Sequence, residues 1–209
     1  MVDQYPPAID ELRALGIETR TLPLRTVLWR IHQTDSLHAL PWDQVRTWGP
    51  LPTARWDPHP LPQGEHGPLG AAYLGCDVPT CLAESFQLTR FVDVDSNAPY
   101  ITAFQTRQEL LLADLTGEWL LKAGGSAQVV FQEKARTQAW ARAIHAAWPN
   151  LGGLIAPSAI IGGHDVIAIW STDVFPPAPE LSVPLNSPAI LADIAVASAQ
   201  IGFGSNIVI

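Results

Sequence analysis

Residues 153–170, GLIAPSAIIGGHDVIAIW, place the tightest constraint on how this chain folds. Two apolar runs, 153–156 and 165–170, have the composition of buried strands, and the Ser and Gly residues between them supply the turn. Paired strands of this kind need cover on both faces, so the remainder of the chain must provide it. Ser158 lies between the runs, which puts one hydroxyl at the mouth of a sheet. A Pro-Ser step there is ordinarily a turn or a cap, so any chemical role for Ser158 depends on what the rest of the chain brings to it.

The chain has 209 residues, 47% hydrophobic and 15% charged, enough to bury a full core as one globular domain. Twelve basic against twenty acidic residues give a formal net charge of -8, and the Lys and Arg residues form no run. Such a surface repels a phosphate backbone, so direct binding to nucleic acid is not expected. The opening MVDQYPPAIDELRALG lacks the basic and apolar regions of a signal peptide, and no stretch approaches the roughly 18 apolar residues of a membrane span. A cytoplasmic protein is expected, with no membrane contact. Cys76 and Cys81 read as reduced thiols, because a structural zinc site needs more ligands and a secreted domain more cysteines.

The periodicity predicts a short helix over 8–15 ended by Gly16 and a strand over 26–32. Residues 41–68 carry prolines, glycines and tryptophans at close intervals, the composition of an ordered loop pinned by aromatic packing. Strands follow at 70–74, 100–105 and 110–115, and helices at 79–90 and 132–148. In the second helix Ala135, Ala139, Ile144, Ala147 and Trp148 are expected to face the core, with Pro149 as the stop. The organisation expected is an N-terminal helical extension over 1–25, a main domain over 26–171 and a proline-rich, apolar segment over 172–209. That last segment, apolar at 190–199, would pack on the domain or on a partner, including a second copy of the chain.

Common catalytic signatures are missing. The six histidines show no HExxH or other tight ligand spacing, so no metal site is expected. GxSxG is absent around Ser158, and the Gly124-Gly125 and Gly162-Gly163 pairs lack the context of a phosphate-binding loop. What remains is a set of polar residues in apolar or aromatic settings: Arg30 in LWRIH, Arg55 in ARWDP, Tyr73 in AAYLG, Glu84 in CLAES, and Ser158.

In this order and these contexts the five residues resemble the signature of the RES domain family. The resemblance runs through VLWRIH, ARWDP, AAYLG, TCLAES, LADLTG, RTQAWARAI and GLIAPSAIIGGHDVIAIW, covering about residues 26–171. It departs at ARWDP, where Ala54 stands for a usual glycine and Asp57 for a usual asparagine. The resemblance implies an α+β, ADP-ribosyltransferase-like fold whose split β-sheet, with flanking helices, holds NAD in a cleft. It further implies the toxin of a bacterial toxin-antitoxin pair that depletes NAD, with an Xre-like antitoxin as partner. NAD is then a substrate, and no prosthetic group is expected.

Cleavage of the nicotinamide–ribose bond passes through an oxocarbenium-like state, which a fixed carboxylate near the sugar stabilises. In that chemistry Glu84 supplies the carboxylate, and Arg30 and Arg55 grip the pyrophosphate with bidentate donors. Tyr73 stacks on the cationic nicotinamide, and Ser158 hydrogen-bonds an arginine or the ribose. The catalytic set is accordingly Glu84, Arg30, Tyr73 and Ser158, and the NAD-binding set Arg30, Arg55, Tyr73 and Ser158. Two other classes stay open: transfer of ADP-ribose to a protein side chain in the same cleft, and a non-catalytic binding module.

Overall fold

The computed structural model of the protein describes residues 5–208. In chain order its elements are α1 (Ile9–Leu15), β1 (Thr19–Leu22), β2 (Val27–Gln33), β3 (Trp48–Gly49), β4 (Gly64–Glu65), β5 (Ala72–Gly75), α2 (Val78–Ser85), β6 (Phe91–Val92), β7 (Pro99–Gln105) and β8 (Leu110–Asp114). There follow α3 (Trp119–Lys122), α4 (Lys134–Ala147), β9 (Gly153–Pro157), β10 (Asp165–Ile169), β11 (Leu181–Pro184), α5 (Leu191–Gln200) and β12 (Gly204–Ser205). Single 3-10 turns occupy Ala127–Phe131 and Thr172–Val174. The result is a mixed α/β domain built on one large sheet.

That sheet runs β1-β8-β9-β10-β5-β2-β7-β11. Its strands pair antiparallel except β8 with β9. β2 and β7 are in register along the whole of β2, from Val27↔Gln105 to Gln33↔Pro99. β2 and β5 meet only at Trp29↔Gly75, and this single pair is where the sheet splits. The junction is tight. A Cβ on Gly75 would come within 2.8 Å of Cys81 Sγ and 3.1 Å of Asp77 O, and the Cys81 thiol donates to Trp29 O at 3.2 Å. Glycine lets α2 sit directly over the point where the two halves diverge.

Alternation along β9 and β10 explains why both read as continuous apolar runs. Leu154, Ala156, Val166, Ala168 and Trp170 pack on one face with Trp119 and Trp140, while Ile155, Ile167 and Ile169 pack on the other with Leu28, Phe104 and Phe175. Gly153 opens β9 so close to β10 that a Cβ would lie 2.1 Å from Ala168 O. A third core cluster joins Leu82 of α2 to Ile194 and Ala197 of α5 and to Phe203.

Several elements depart from expectation. The core face of α4 is Trp140, Ala141, Ile144 and Ala147 with Thr137 and Gln138, whereas Ala135 is exposed. Burying one tryptophan outweighs burying a peripheral alanine, and this turns the helix. The helix expected over 79–90 ends at Ser85, and residues 86–90 form a turn. Thr19–Leu22, placed in the N-terminal extension, pairs with β8 at the sheet edge. Apolar residues 190–199 become α5, which packs on α2, and β11 adds to β7. No helix of the described residues is long and apolar enough to cross a membrane.

Candidate active site at the split of the sheet

Beyond Trp29 and Gly75 the strands β2 and β5 no longer bond to each other, and a cleft of about 550 Å³ opens there. It is lined by Arg30 of β2, Tyr73 of β5, Glu84 of α2, Lys134 of α4, and Arg46 and Arg55 from the long loop. Four of the five residues singled out from the sequence therefore reach one cavity. Ser158 is buried behind its wall, which its neighbours Pro157 and Ala159 line.

Ser158 has a different partner from the one expected. Its Oγ donates to Glu84 Oε1 at 2.6 Å and accepts from the backbone N–H groups of Ile160 and Ile161, both at 3.1 Å. A hydroxyl has one proton and two lone pairs, so the two N–H donors direct that proton at Glu84. Ser158 thus holds the carboxylate and meets no arginine. The same two segments are tied again where His164 Nδ1 lies 2.9 Å from Asp77 Oδ2 and 3.0 Å from Thr80 Oγ1. Asp77 caps α2 through Thr80 N–H at 2.7 Å, so Glu84 rides on a helix pinned at its first turn and its last.

Burial pushes the Glu84 carboxyl above its ordinary value, against the Ser158 hydroxyl and the charges of Arg55 and Lys134, which pull it down. Burial likewise lowers Arg55, which Glu84 opposes, and lowers Lys134, where Arg55 adds to the effect. A partly desolvated carboxylate facing two cations is a strong electrostatic element, because few water molecules screen it.

Arg30 is buried, and desolvation brings its pKa down to about 10 with Asp43 opposing. Its Nη1 donates to Trp42 O at 2.6 Å and Gln44 O at 2.7 Å. One nitrogen of the expected pyrophosphate clamp is therefore committed to holding the long loop. Arg55 commits Nη1 to Gln132 O at 2.7 Å. The Tyr73 hydroxyl is buried without a well-formed hydrogen bond, although Arg46 is near enough to act on it electrostatically, and burial raises its pKa strongly.

Sequence reasoning passed over Arg46, Asp57, His59 and Lys134. Asp57 is wholly buried and accepts from Arg46 Nη2 and Leu51 N, each at 2.8 Å, while its other oxygen pairs with His59 Nδ1. Burial alone would raise the Asp57 carboxyl, but these hydrogen bonds and the Arg46 charge hold it below the usual range. The departure at position 57 thus carries its own charge partners. Only a fold could reveal them, since Arg46 and Lys134 sit in no local motif. No cluster of side chains suited to a metal ion occurs among the described residues.

The sequence matches the RES domain over residues 27–186. The chain belongs to the RES domain family. Its fold is similar to that in the crystal structure of the M. tuberculosis MbcT-MbcA toxin-antitoxin complex, with a TM-score of 0.58 and 18% identity over 90% of this chain and 96% of that one. No curated protein matches the sequence. The RES domain extends past the segment expected from the motifs and takes in β11, which completes the sheet beside β7.

Proposed function

We propose that this RES domain protein cleaves the nicotinamide–ribose bond of NAD, with water or phosphate as acceptor, and that it is the toxin of a type II toxin-antitoxin pair. The observation that carries the chemistry is the Glu84 carboxylate, fixed by Ser158 at 2.6 Å and set against Arg55 and Lys134 in the cleft. With water as acceptor the products are nicotinamide, ADP-ribose and a proton. Phosphate in place of water gives the phosphorylated sugar.

Glu84, with Oε1 occupied by Ser158, offers Oε2 to the ribose, where a negative charge grows more favourable as the sugar becomes cationic. Arg55, Lys134 and Arg46 supply positive charge along the cleft for the pyrophosphate, and Arg30 adds its uncommitted nitrogens. The Tyr73 ring, part of the same wall, suits stacking on the nicotinamide. The toxin reading is supported by RES family membership and by the toxin-antitoxin complex whose fold this chain resembles. A net charge of -8 favours an antitoxin with basic or apolar contact surfaces, here an Xre-like protein that itself carries any DNA contact.

The test is to incubate the purified chain with NAD, with and without phosphate, beside Glu84→Gln, and to follow nicotinamide release and product mass. Release by the wild type that is lost in Glu84→Gln is the expected result, and a product that depends on phosphate identifies the acceptor. Mass added to a protein instead would mean a protein ADP-ribosyltransferase. No release from folded wild type would overturn the reading.

A further inference from the structure

We infer that Thr137 and Gln138 are positioning residues that set the Arg55 guanidinium in the cleft; the kinetic consequence rests on the NAD-cleaving reading. Both side chains are buried, Thr137 at 0% and Gln138 at 6% exposure, on the inner face of α4 where apolar groups would cost less to bury. Their hydrogen bonds leave the helix. Gln138 Nε2 donates to Leu51 O and to Ala54 O, each at 2.7 Å. The shorter contact of Thr137 Oγ1 is to Arg55 O at 2.7 Å, with Lys134 O at 3.0 Å.

Residues 51–55 have no helix or strand of their own. Three of their carbonyls find donors on a single turn of α4, so that helix sets where this segment lies. Arg55 completes the attachment through Nη1 to Gln132 O at 2.7 Å, just ahead of α4. The helix is a rigid anchor, since Trp140, Ala141 and Ile144 are fully buried in the core. Arg55 and Lys134 thereby come to one wall of the cleft, within electrostatic reach of Glu84. Without the donors Ala54 O and Arg55 O lose these partners, Leu51 O keeps only the Ala54 N–H at 3.0 Å, and the segment moves. A displacement of about 1 Å at a substrate-positioning group can cost up to roughly 100-fold.

Gln138→Met keeps the side-chain length and removes both donors. Thr137→Val keeps the shape and removes the hydroxyl, and Thr137→Ser restores it. NAD KM and kcat are measured for each variant alone and in an Arg55→Ala background, with the Arg55 side-chain ¹⁵N–¹H signal as a readout that needs no turnover. The expected result is an NAD KM raised about 10-fold by Gln138→Met and Thr137→Val, with kcat changed less than about threefold and Thr137→Ser close to wild type. In the Arg55→Ala background the second substitution should add nothing, and the Arg55 signal should shift in both variants while the far-UV circular dichroism stays the same. Additive losses in that background, or an unmoved Arg55 signal, overturn the proposal. Should Gln138→Met fail to fold, the Thr137 pair decides. If wild type releases no nicotinamide, the NAD reading fails, and the Arg55 signal alone decides the positioning.

Discussion

The Ser158 hydroxyl donates to Glu84 Oε1 at 2.6 Å across 74 residues of chain, while two backbone N–H groups occupy its lone pairs. One buried side chain therefore aims a carboxylate and closes its own turn. Ser158→Ala should remove both. Nicotinamide release is expected to fall about 10-fold to 100-fold, and denaturant unfolding should show a loss of about 1–3 kcal/mol from the unpaired N–H groups. Full activity in the alanine variant would separate Ser158 from Glu84.

Glu84→Gln should reduce the rate on the order of 100-fold to 1000-fold and leave the fold intact, because the amide oxygen still accepts from Ser158. The same residue sets an acid limit. Burial raises its pKa above the ordinary 4.5, so the working anion is lost at a higher pH than for a free glutamate. Stability runs the other way, since the folded state holds this proton more tightly and loses stability as pH rises through the raised value. A pH–rate profile with its acid limb at or below the usual glutamate value would contradict this assignment.

His32 predicts a different pH effect. Its pKa is lowered to about 4, chiefly by burial and then by the Arg30 charge. A depressed folded pKa means stability that is present above the unfolded value of 6.5 and is lost as pH falls towards 4. The ring is partly exposed, and with solvent screening the loss should be about 1–2 kcal/mol. Unfolding curves at several pH values should show this loss flattened in His32→Gln.

Asp57→Asn removes the charge that Arg46 and His59 share. The expected cost is about 1.5–3 kcal/mol, the scale of a hydrogen bond to a charged group, and thermal unfolding would measure it. Because Arg46 then loses its buried counter-charge while keeping its bond to Trp48 O, more of its charge reaches the cleft and NAD KM should also change. A variant unchanged in both respects would show that position 57 tolerates either residue without its partners.

The strands 26–32, 100–105, 153–156 and 165–170 and the helix before Pro149 were legible because hydrophobic period and stop residues are local signals. The five polar residues stood out for a related reason, since a charge or hydroxyl inside an apolar run costs free energy that some partner must offset. Which partner it finds is a matter of distance through space. Ser158 turned out to face Glu84 rather than an arginine, and Arg30 was found spending one nitrogen on the backbone of residues 42–44. Arg46 and Lys134 gave no sequence signal, because an isolated cation reads as solvated, and Thr137 and Gln138 stood out only as part of RTQAWARAI, which says nothing of the carbonyls they hold.

By itself, then, the sequence determined the strongly periodic strands, the helix before Pro149 and which polar residues could not be idle, through periodicity and the cost of burying polar groups. The tertiary structure alone decided that β2 and β5 meet at one pair and part, which opens the cleft, and that α2 and α4, separate elements far apart in the chain, bring Glu84 and Lys134 to it. Contacts across 50 to 80 residues of chain depend on how layers pack and leave no period in the sequence.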